Sequence, residues 1–291
     1  MIAVDGKYFA YATGNLTYDI QFSTSSDLVT WAPTDEALTK RPFWQPSSSG
    51  LTWAPEVAQT SAGFVMYYTA RDVQAGKQCL AIAVSAKPEG PFADSSEKPF
   101  LCQYDLGGSI DPSPFVDTDG KRYLLWKNDG NCCGMRTRLF MQGLSDDGLQ
   151  LVGDVKDLGV ENDRPWERNL IEGPNLILQD DVYYLFFSAN DYNSRNYAAG
   201  YATSDTLFGP YKDAAENPIL ASDETAAGPG GQTMVEVRDG EWWILYHAWD
   251  TKRIGDSIGG ERSMWLDELV FEGGRVRVEG PDVGPQQAPR A

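Results

Sequence analysis

The chain has 291 residues, 42% of them apolar, and 24 Lys and Arg stand against 42 Asp and Glu for a formal net charge of -18. That balance argues against a nucleic-acid partner, because phosphate binding needs clustered Lys and Arg; the acidity itself serves solubility. No apolar run reaches the roughly 18 residues a membrane helix needs, and the opening MIAVDGKYFAYATG lacks the basic region and apolar stretch of a signal peptide.

An aromatic-rich strand signal then returns five times: KYFAYATG from Lys7, GFVMYYTA from Gly63, KRYLLWKND from Lys121, DVYYLFFSAND from Asp181 and GEWWILYHAWD from Gly240. The starts are about 56 to 60 residues apart. YFAYA, YYLFF and WWILY alternate with period two, as a pleated strand requires. Each signal is followed by a second strand that ends in a turn: 22–31, 82–92, 141–153, 200–211 and 266–276. The Gly-Pro, Asp-Gly and Gly-Gly pairs there are turn chemistry. The VDGK at 4–7 reads as a hairpin turn ahead of the first aromatic strand. No long amphipathic helix is legible. Repeated units of this size bury their apolar faces against one another. The interval suits four strands per unit, so the predicted fold is all-β, a five-bladed β-propeller with four antiparallel strands per blade. No linker or charge run divides the chain, so residues 1–291 are expected to form a single domain. The Pro/Gln-rich tail from Pro281 either caps the last blade or trails from it.

The four cysteines are Cys79, Cys102, Cys132 and Cys133. An even count is compatible with an oxidising compartment. Cys79 and Cys102 flank one return of the chain and are expected to pair; the adjacent Cys132 and Cys133 are either a vicinal disulfide or two thiols. No second Cys/His pair has the spacing of a zinc site.

A short polar segment with proline or glycine precedes each aromatic strand after the first: TWAPEV (52–57), GGSIDPSPFVD (107–117), IEGPNLI (171–177) and GPGGQTMVEV (228–237). Equivalent units should bring these segments to equivalent places around one axis, with Glu56, Asp111, Glu172 and Gln232 near a common centre. Crowded carboxylates push one pKa upward, and a raised pKa makes a general acid at neutral pH. Paired carboxyls flanking a pocket are the pattern of glycoside hydrolysis. The plainer alternative is that Glu172 and Asp111 are acidic loop residues capping turns.

Taken in order, WAPE (53–56), SIDPSPFVD (109–117), EGP (172–174), YHAW (246–249) and GGERSMWLDEL (259–269) resemble glycoside hydrolase family 43 over essentially the full length. That family comprises five-bladed propellers that hydrolyse arabinans, arabinoxylans and xylosides. GGSIDPSPFVDTDGKRYLLWKNDGNCCG and WAPEV look most like its arabinofuranosidase/arabinanase branch. The resemblance implies an inverting mechanism, with Glu172 as general acid and Asp111 tuning and orienting it. It places the general base in an Asp-Pro-x-Val-Ile element whose Val-Ile corresponds to Met1-Ile2. The expected Asp lies about three residues ahead of Met1, so either the start lies upstream or the base is missing. Asp5 sits in the hairpin turn, and Asp19 is a weak substitute.

Of the other residues, Trp53 is a sugar platform or core, and Glu56 is a supporting carboxylate. Ile110, Gln232 and Arg262 are expected to contact substrate, and Asn190, Asp191 and Tyr192 to line a rim. His247, the one histidine, is a core residue or, by the resemblance, an axial group near a largely water-held calcium or sodium ion. A lone imidazole is a poor calcium ligand, since calcium prefers oxygens. The implied partner is plant cell-wall oligo- or polysaccharide, met by a secreted monomer that releases arabinose or arabino-oligosaccharides. The alternatives are a β-xylosidase, a carbohydrate-binding propeller without catalysis, and a protein-interaction propeller.

Overall fold

A computed structural model describes residues 1–46, 51–238, 240–284 and 286–289. Among these residues the regular structure is strands, with short 3-10 turns between them. The strands build two compact units, residues 1–157 and 158–291.

The first unit holds three sheets. β1 (Ile2–Val4), β2 (Lys7–Thr13), β3 (Ile20–Ser25) and β4 (Ala32–Pro33) pair in chain order. The second sheet contains β5 (Leu38–Lys40), β6 (Thr52–Thr60), β7 (Gly63–Asp72), β8 (Lys77–Ser85) and β9 (Phe92–Ala93), in the order β5-β9-β8-β7-β6. The third is β10 (Ser109–Val116), β11 (Arg122–Asn128), β12 (Leu139–Leu144) and β13 (Leu151–Asp157) in chain order. In the second unit β14 (Ile171–Gln179), β15 (Val182–Ala189), β16 (Ala198–Ser204) and β17 (Lys212–Asp213) make one sheet. The other is β18 (Ala226–Arg238), β19 (Glu241–Asp250), β20 (Arg262–Glu272) and β21 (Arg275–Val278).

Two expectations change. The second sheet has a fifth strand, because the short β5 pairs in parallel with β9. The polar segments ahead of the aromatic strands are not loops; they are the leading parts of β6, β10, β14 and β18, the first strand of each antiparallel set. Their prolines are tolerated because an edge strand needs no donor on its free side. The hairpin turn at VDGK is present, with Asp5 and Gly6 at φ 48° and 73° between Val4 and Lys7. Two successive left-handed residues match the twist of the flanking strands.

The aromatic strands are buried on both faces, and alternation decides which neighbour each side chain meets. In β7, Phe64, Met66, Tyr68 and Ala70 pack with Phe9, Tyr11, Ile20 and Phe22 of the first sheet. Val65 and Tyr67 of the same strand pack with Leu124, Trp126 and Phe140 of the third. In the second unit Tyr184 and Phe186 of β15 join Ile244, Tyr246 and Ala248 of β19. Full burial of one such large apolar side chain is worth roughly 1.5–3 kcal/mol. Period-two aromatics therefore weld neighbouring sheets face to face.

Cys79 and Cys102 are bonded, as expected, and Cys132 and Cys133 are bonded to each other. Beside the first bond, Leu80 bridges Leu101 and Gln78 bridges Gly108, so the lead into β10 is pinned against β8. A Cβ at Gly108 would lie 2.3 Å from the Gln78 carbonyl oxygen, so only glycine permits this approach. The tail runs against the last sheet: Thr225 Oγ1 donates to the Pro281 carbonyl at 3.3 Å and Gln286 Nε2 to Asp267 Oδ1 at 3.1 Å. Its residues 285, 290 and 291 lie outside the described residues.

Candidate active site

Four sheets carry the same irregularity in their leading strand. Register shifts between Trp53 and Glu56 in β6, Ile110 and Ser113 in β10, Glu172 and Asn175 in β14, and Gly230 and Thr233 in β18. The second residue of each bulge is left-handed: Ala54 at φ 46°, Asp111 at 57°, Gly173 at 57° and Gly231 at 60°. A bulge of this kind re-aims side chains out of the ladder. The four polar residues singled out by sequence use different places in it. Glu172 is the first residue of its bulge, Asp111 the second, Gln232 the third and Glu56 the fourth. Equivalence of segments thus does not make these four side chains equivalent, because neighbouring bulge positions point in different directions.

A left-handed residue turns its N–H away from the strand pair, and the preceding sheet supplies the acceptor. Ala54 N donates to Thr13 Oγ1 at 3.1 Å, Asp111 N to Thr69 Oγ1 at 3.2 Å, and Gly231 N to Ser188 Oγ at 2.8 Å. Thr13, Thr69 and Ser188 all lie at or near the end of an aromatic strand. None of the three was singled out from sequence, since a hydroxyl at a strand end has no distinguishing pattern.

In the first unit, Asp111 is half-buried and left-handed, a conformation that costs a non-glycine residue energy and is retained where the surroundings enforce it. Ile110 is only 6% exposed, so it belongs to the core and does not present itself to substrate as expected. Trp53 and Glu56 are half-buried. Asp19 is ion-paired with Arg41 at 3.2 Å, which commits the carboxylate to a structural contact.

In the second unit the predicted residues form one connected group. The Tyr197 hydroxyl donates to Glu172 Oε1 at 2.8 Å, and the Tyr197 ring lies parallel to His247 with centroids 5.6 Å apart. Arg262 Nη1 is 3.5 Å from His247 Nε2, and its guanidinium sits over the rings of Tyr192 and Trp249 at 5.2 and 5.3 Å. Trp249 Nε1 in turn donates to the Tyr192 carbonyl at 2.6 Å. Tyr192 remains 37% exposed. A Cβ on Gly231 would lie 2.7 Å from His247 Cδ2, so the glycines of this segment leave room for the rings. Sequence reasoning missed Tyr197, whose segment RNYAAG shows no motif.

Gln232 is buried, 4% exposed, and both ends of its amide are used. Oε1 accepts from Ser188 Oγ at 2.5 Å, and Nε2 donates to the Gly173 carbonyl at 2.9 Å. It therefore clamps the bulge that carries Glu172, and its predicted substrate contact gives way to that positioning. Asn190, 5% exposed, is likewise structural: Nδ2 donates to the Trp166 carbonyl, while Asp191 caps the turn that follows.

Burial, and then the charge of Arg262, hold the His247 imidazole well below its usual range, so the ring is neutral. Arg can only donate, so Nε2 is the acceptor and the ring proton sits on Nδ1. Nδ1 is buried, with no hydrogen-bond partner among the described residues. In this tautomer Nδ1 presents a proton and fits an oxygen acceptor such as water.

The sequence matches the family "Glycosyl hydrolases family 43" over residues 1–275, and the chain belongs to that family. It is therefore a glycoside hydrolase acting on O-glycosyl bonds, and its fold class is the five-bladed β-propeller. It is 31% identical over 257 residues to a xylan 1,3-beta-xylosidase of Vibrio sp., covering 83% of this chain and 45% of that protein. It is 24% identical over 290 residues to beta-D-galactofuranosidase xynD of Aspergillus niger, covering 94% of this chain and 78% of the relative. A solved thermostable family-43 glycoside hydrolase superimposes with a TM-score of 0.85 at 30% identity, over 100% of this chain and 94% of that one.

Proposed function

We propose that this chain hydrolyses glycosidic bonds of plant cell-wall pentose oligosaccharides with inversion, and that Glu172 is the general acid. The observation that carries the reading is Glu172 at the first place of a bulge, held through Oε1 by Tyr197. In this reading the Glu172 carboxyl gives its proton to the leaving glycosidic oxygen. A water attacks the anomeric carbon from the opposite face, and a base takes the water's proton. Asp111, on the bulge of β10, keeps the positioning role that the family resemblance implies. The Arg262–Tyr192 pair supplies a cation and an aromatic face for sugar hydroxyls and ring carbons.

Register supports a place for the base. Ile2 pairs with Phe9 as Ala58 pairs with Val65, each two pairs from its hairpin turn. Ala54 precedes Ala58 by four residues, so the counterpart of the left-handed place falls three residues ahead of Met1. An Asp-Pro pair there is the proposed base element.

For the sugar, the arabinanase-like motifs favour α-1,5-linked arabino-oligosaccharides. The name of the Vibrio relative favours β-xylosides as the second reading. Product analysis on both oligosaccharide series, with and without an added upstream Asp-Pro, tests the proposal. Release of arabinose or xylose with inverted configuration supports it and names the sugar. No release from either series after Asp-Pro is restored refutes it.

A further inference from the structure

Away from Glu172, the second unit gathers three carboxylates whose role the hydrolytic reading leaves open. Asp163 and Glu167 belong to the turn-rich segment ahead of β14, and Asp213 ends β17, the outermost strand of the same sheet. One carboxylate oxygen from each lies within 4.8 Å of the others. The segment is tightly built: Glu167 N donates to the Arg164 carbonyl at 3.0 Å, and Arg164 N to Glu167 Oε2 at 2.9 Å. Trp166 stacks on Phe187, with centroids 5.8 Å apart.

Glu167 is the telling member. It is 0% exposed, yet its Oε1 has no hydrogen-bond partner among the described residues. A buried carboxylate oxygen without a partner is costly, and buried charges are normally paired or bound to metal. The nearby cation, Arg164, is spent on Asp213: its Nε is 3.5 Å from Oδ2 and its Nη2 3.5 Å from the Asp213 carbonyl oxygen. Three carboxylates against one guanidinium leave a deficit of positive charge. All the donors are oxygens, and Asp163 is exposed, so water can complete a coordination shell from that side. Oxygens of one calcium shell, each about 2.3–2.6 Å from the ion, stand up to about 5 Å apart. The spacing of the three acids falls within that range.

We propose that Asp163, Glu167 and Asp213 form a calcium site that ties the segment before β14 to the outer edge of its sheet. A divalent cation would give the buried Glu167 Oε1 the partner that no described residue supplies. The site is structural, and its ligand is the ion itself.

The test uses the full chain after treatment with EDTA, with Ca²⁺ alone as probe and Mg²⁺ as comparison. Calorimetric titration should show one equivalent of Ca²⁺ bound by Asp163, Glu167 and Asp213. Tm should rise with Ca²⁺ concentration, as mass action requires. Terbium(III) in place of calcium should luminesce on excitation of the adjacent Trp166. Glu167→Gln should weaken binding tenfold or more, and Asp163→Asn, an exposed change that spares folding, should weaken it measurably. His247→Ala should leave it unchanged. The proposal is overturned if the wild type shows neither heat nor Tm shift up to roughly 5 mM Ca²⁺, beyond the weakest protein sites. It is also overturned if both acid variants bind like the wild type, or if His247→Ala abolishes binding.

Discussion

The Tyr197 hydroxyl donates a 2.8 Å hydrogen bond to Glu172 Oε1. The same tyrosine stacks on His247, so a residue outside any recognisable motif fixes both the carboxyl and the ring that supports Arg262. Removing the hydroxyl should cost one hydrogen bond, about 0.5–1.5 kcal/mol. Tyr197→Phe is expected to lower kcat by roughly three- to tenfold, with a smaller change in KM and at most a small fall in Tm, because the ring and its stacking remain. An equal fall in an enzyme that already carries Glu172→Gln would show that the hydroxyl acts elsewhere.

Glu172→Gln keeps the shape of the side chain and an acceptor for Tyr197 while removing the transferable proton. Turnover should fall by about 10²–10⁴-fold, the usual share of general acid catalysis. Circular dichroism and Tm should match the wild type. Substrates with better leaving groups should be affected less, because they need less protonation. A variant that retains wild-type kcat on unactivated oligosaccharides would remove Glu172 from the mechanism.

Thr69→Val leaves the Asp111 N–H without its acceptor. An unmet backbone donor costs roughly 1–3 kcal/mol when buried, and Asp111 is half-buried, so about 1 kcal/mol is expected in urea unfolding. Thr13→Val removes the equivalent bond to Ala54 and should cost about the same. The two should differ in catalysis, since only Thr69 holds a bulge that bears a proposed site acid. Equal activity in the two variants would separate Asp111 from the reaction.

Asp267 is buried, with Tyr246 donating to it at 2.6 Å, and burial raises its carboxyl to about 6. An unfolded Asp titrates near about 4. The folded chain therefore holds this proton more tightly. The contribution to stability is full below about pH 4 and is lost as pH rises through about 6, an effect of up to roughly 3 kcal/mol. Asp267→Asn keeps an acceptor for Tyr246 and cannot titrate. The difference in unfolding free energy between wild type and variant should change across pH 4 to 6 and be flat above about 7. A difference independent of pH would show that Asp267 titrates normally.

Much of the fold was legible because aromatic alternation and turn pairs recur at a fixed interval, and both report directly on burial and backbone twist. The roles of Ile110 and Gln232 were not legible. Burial of Ile110 depends on a bulge that rotates Asp111 out of the ladder, and a bulge is a register shift with no residue signature of its own. Gln232 looked like a substrate ligand because it is polar and sits in a glycine-rich segment. Its partners, Ser188 and the Gly173 carbonyl, are 44 and 59 residues away in sequence. The β5–β9 pairing escaped for the same reason: short strands that join in parallel across more than fifty residues leave no local pattern.

The hydroxyl latches of Thr13, Thr69 and Ser188 recognise the main chain of the sheet that follows them. The residue they hold is alanine in one sheet, aspartate in another and glycine in a third. What is gripped is a peptide N–H, which every residue but proline carries, so the latch itself is blind to the side chain. What limits the side chain is the left-handed backbone and the space beside it, which at Gly231 the His247 ring closes to any Cβ. Grip and chemistry are thus set by different atoms of the same residue.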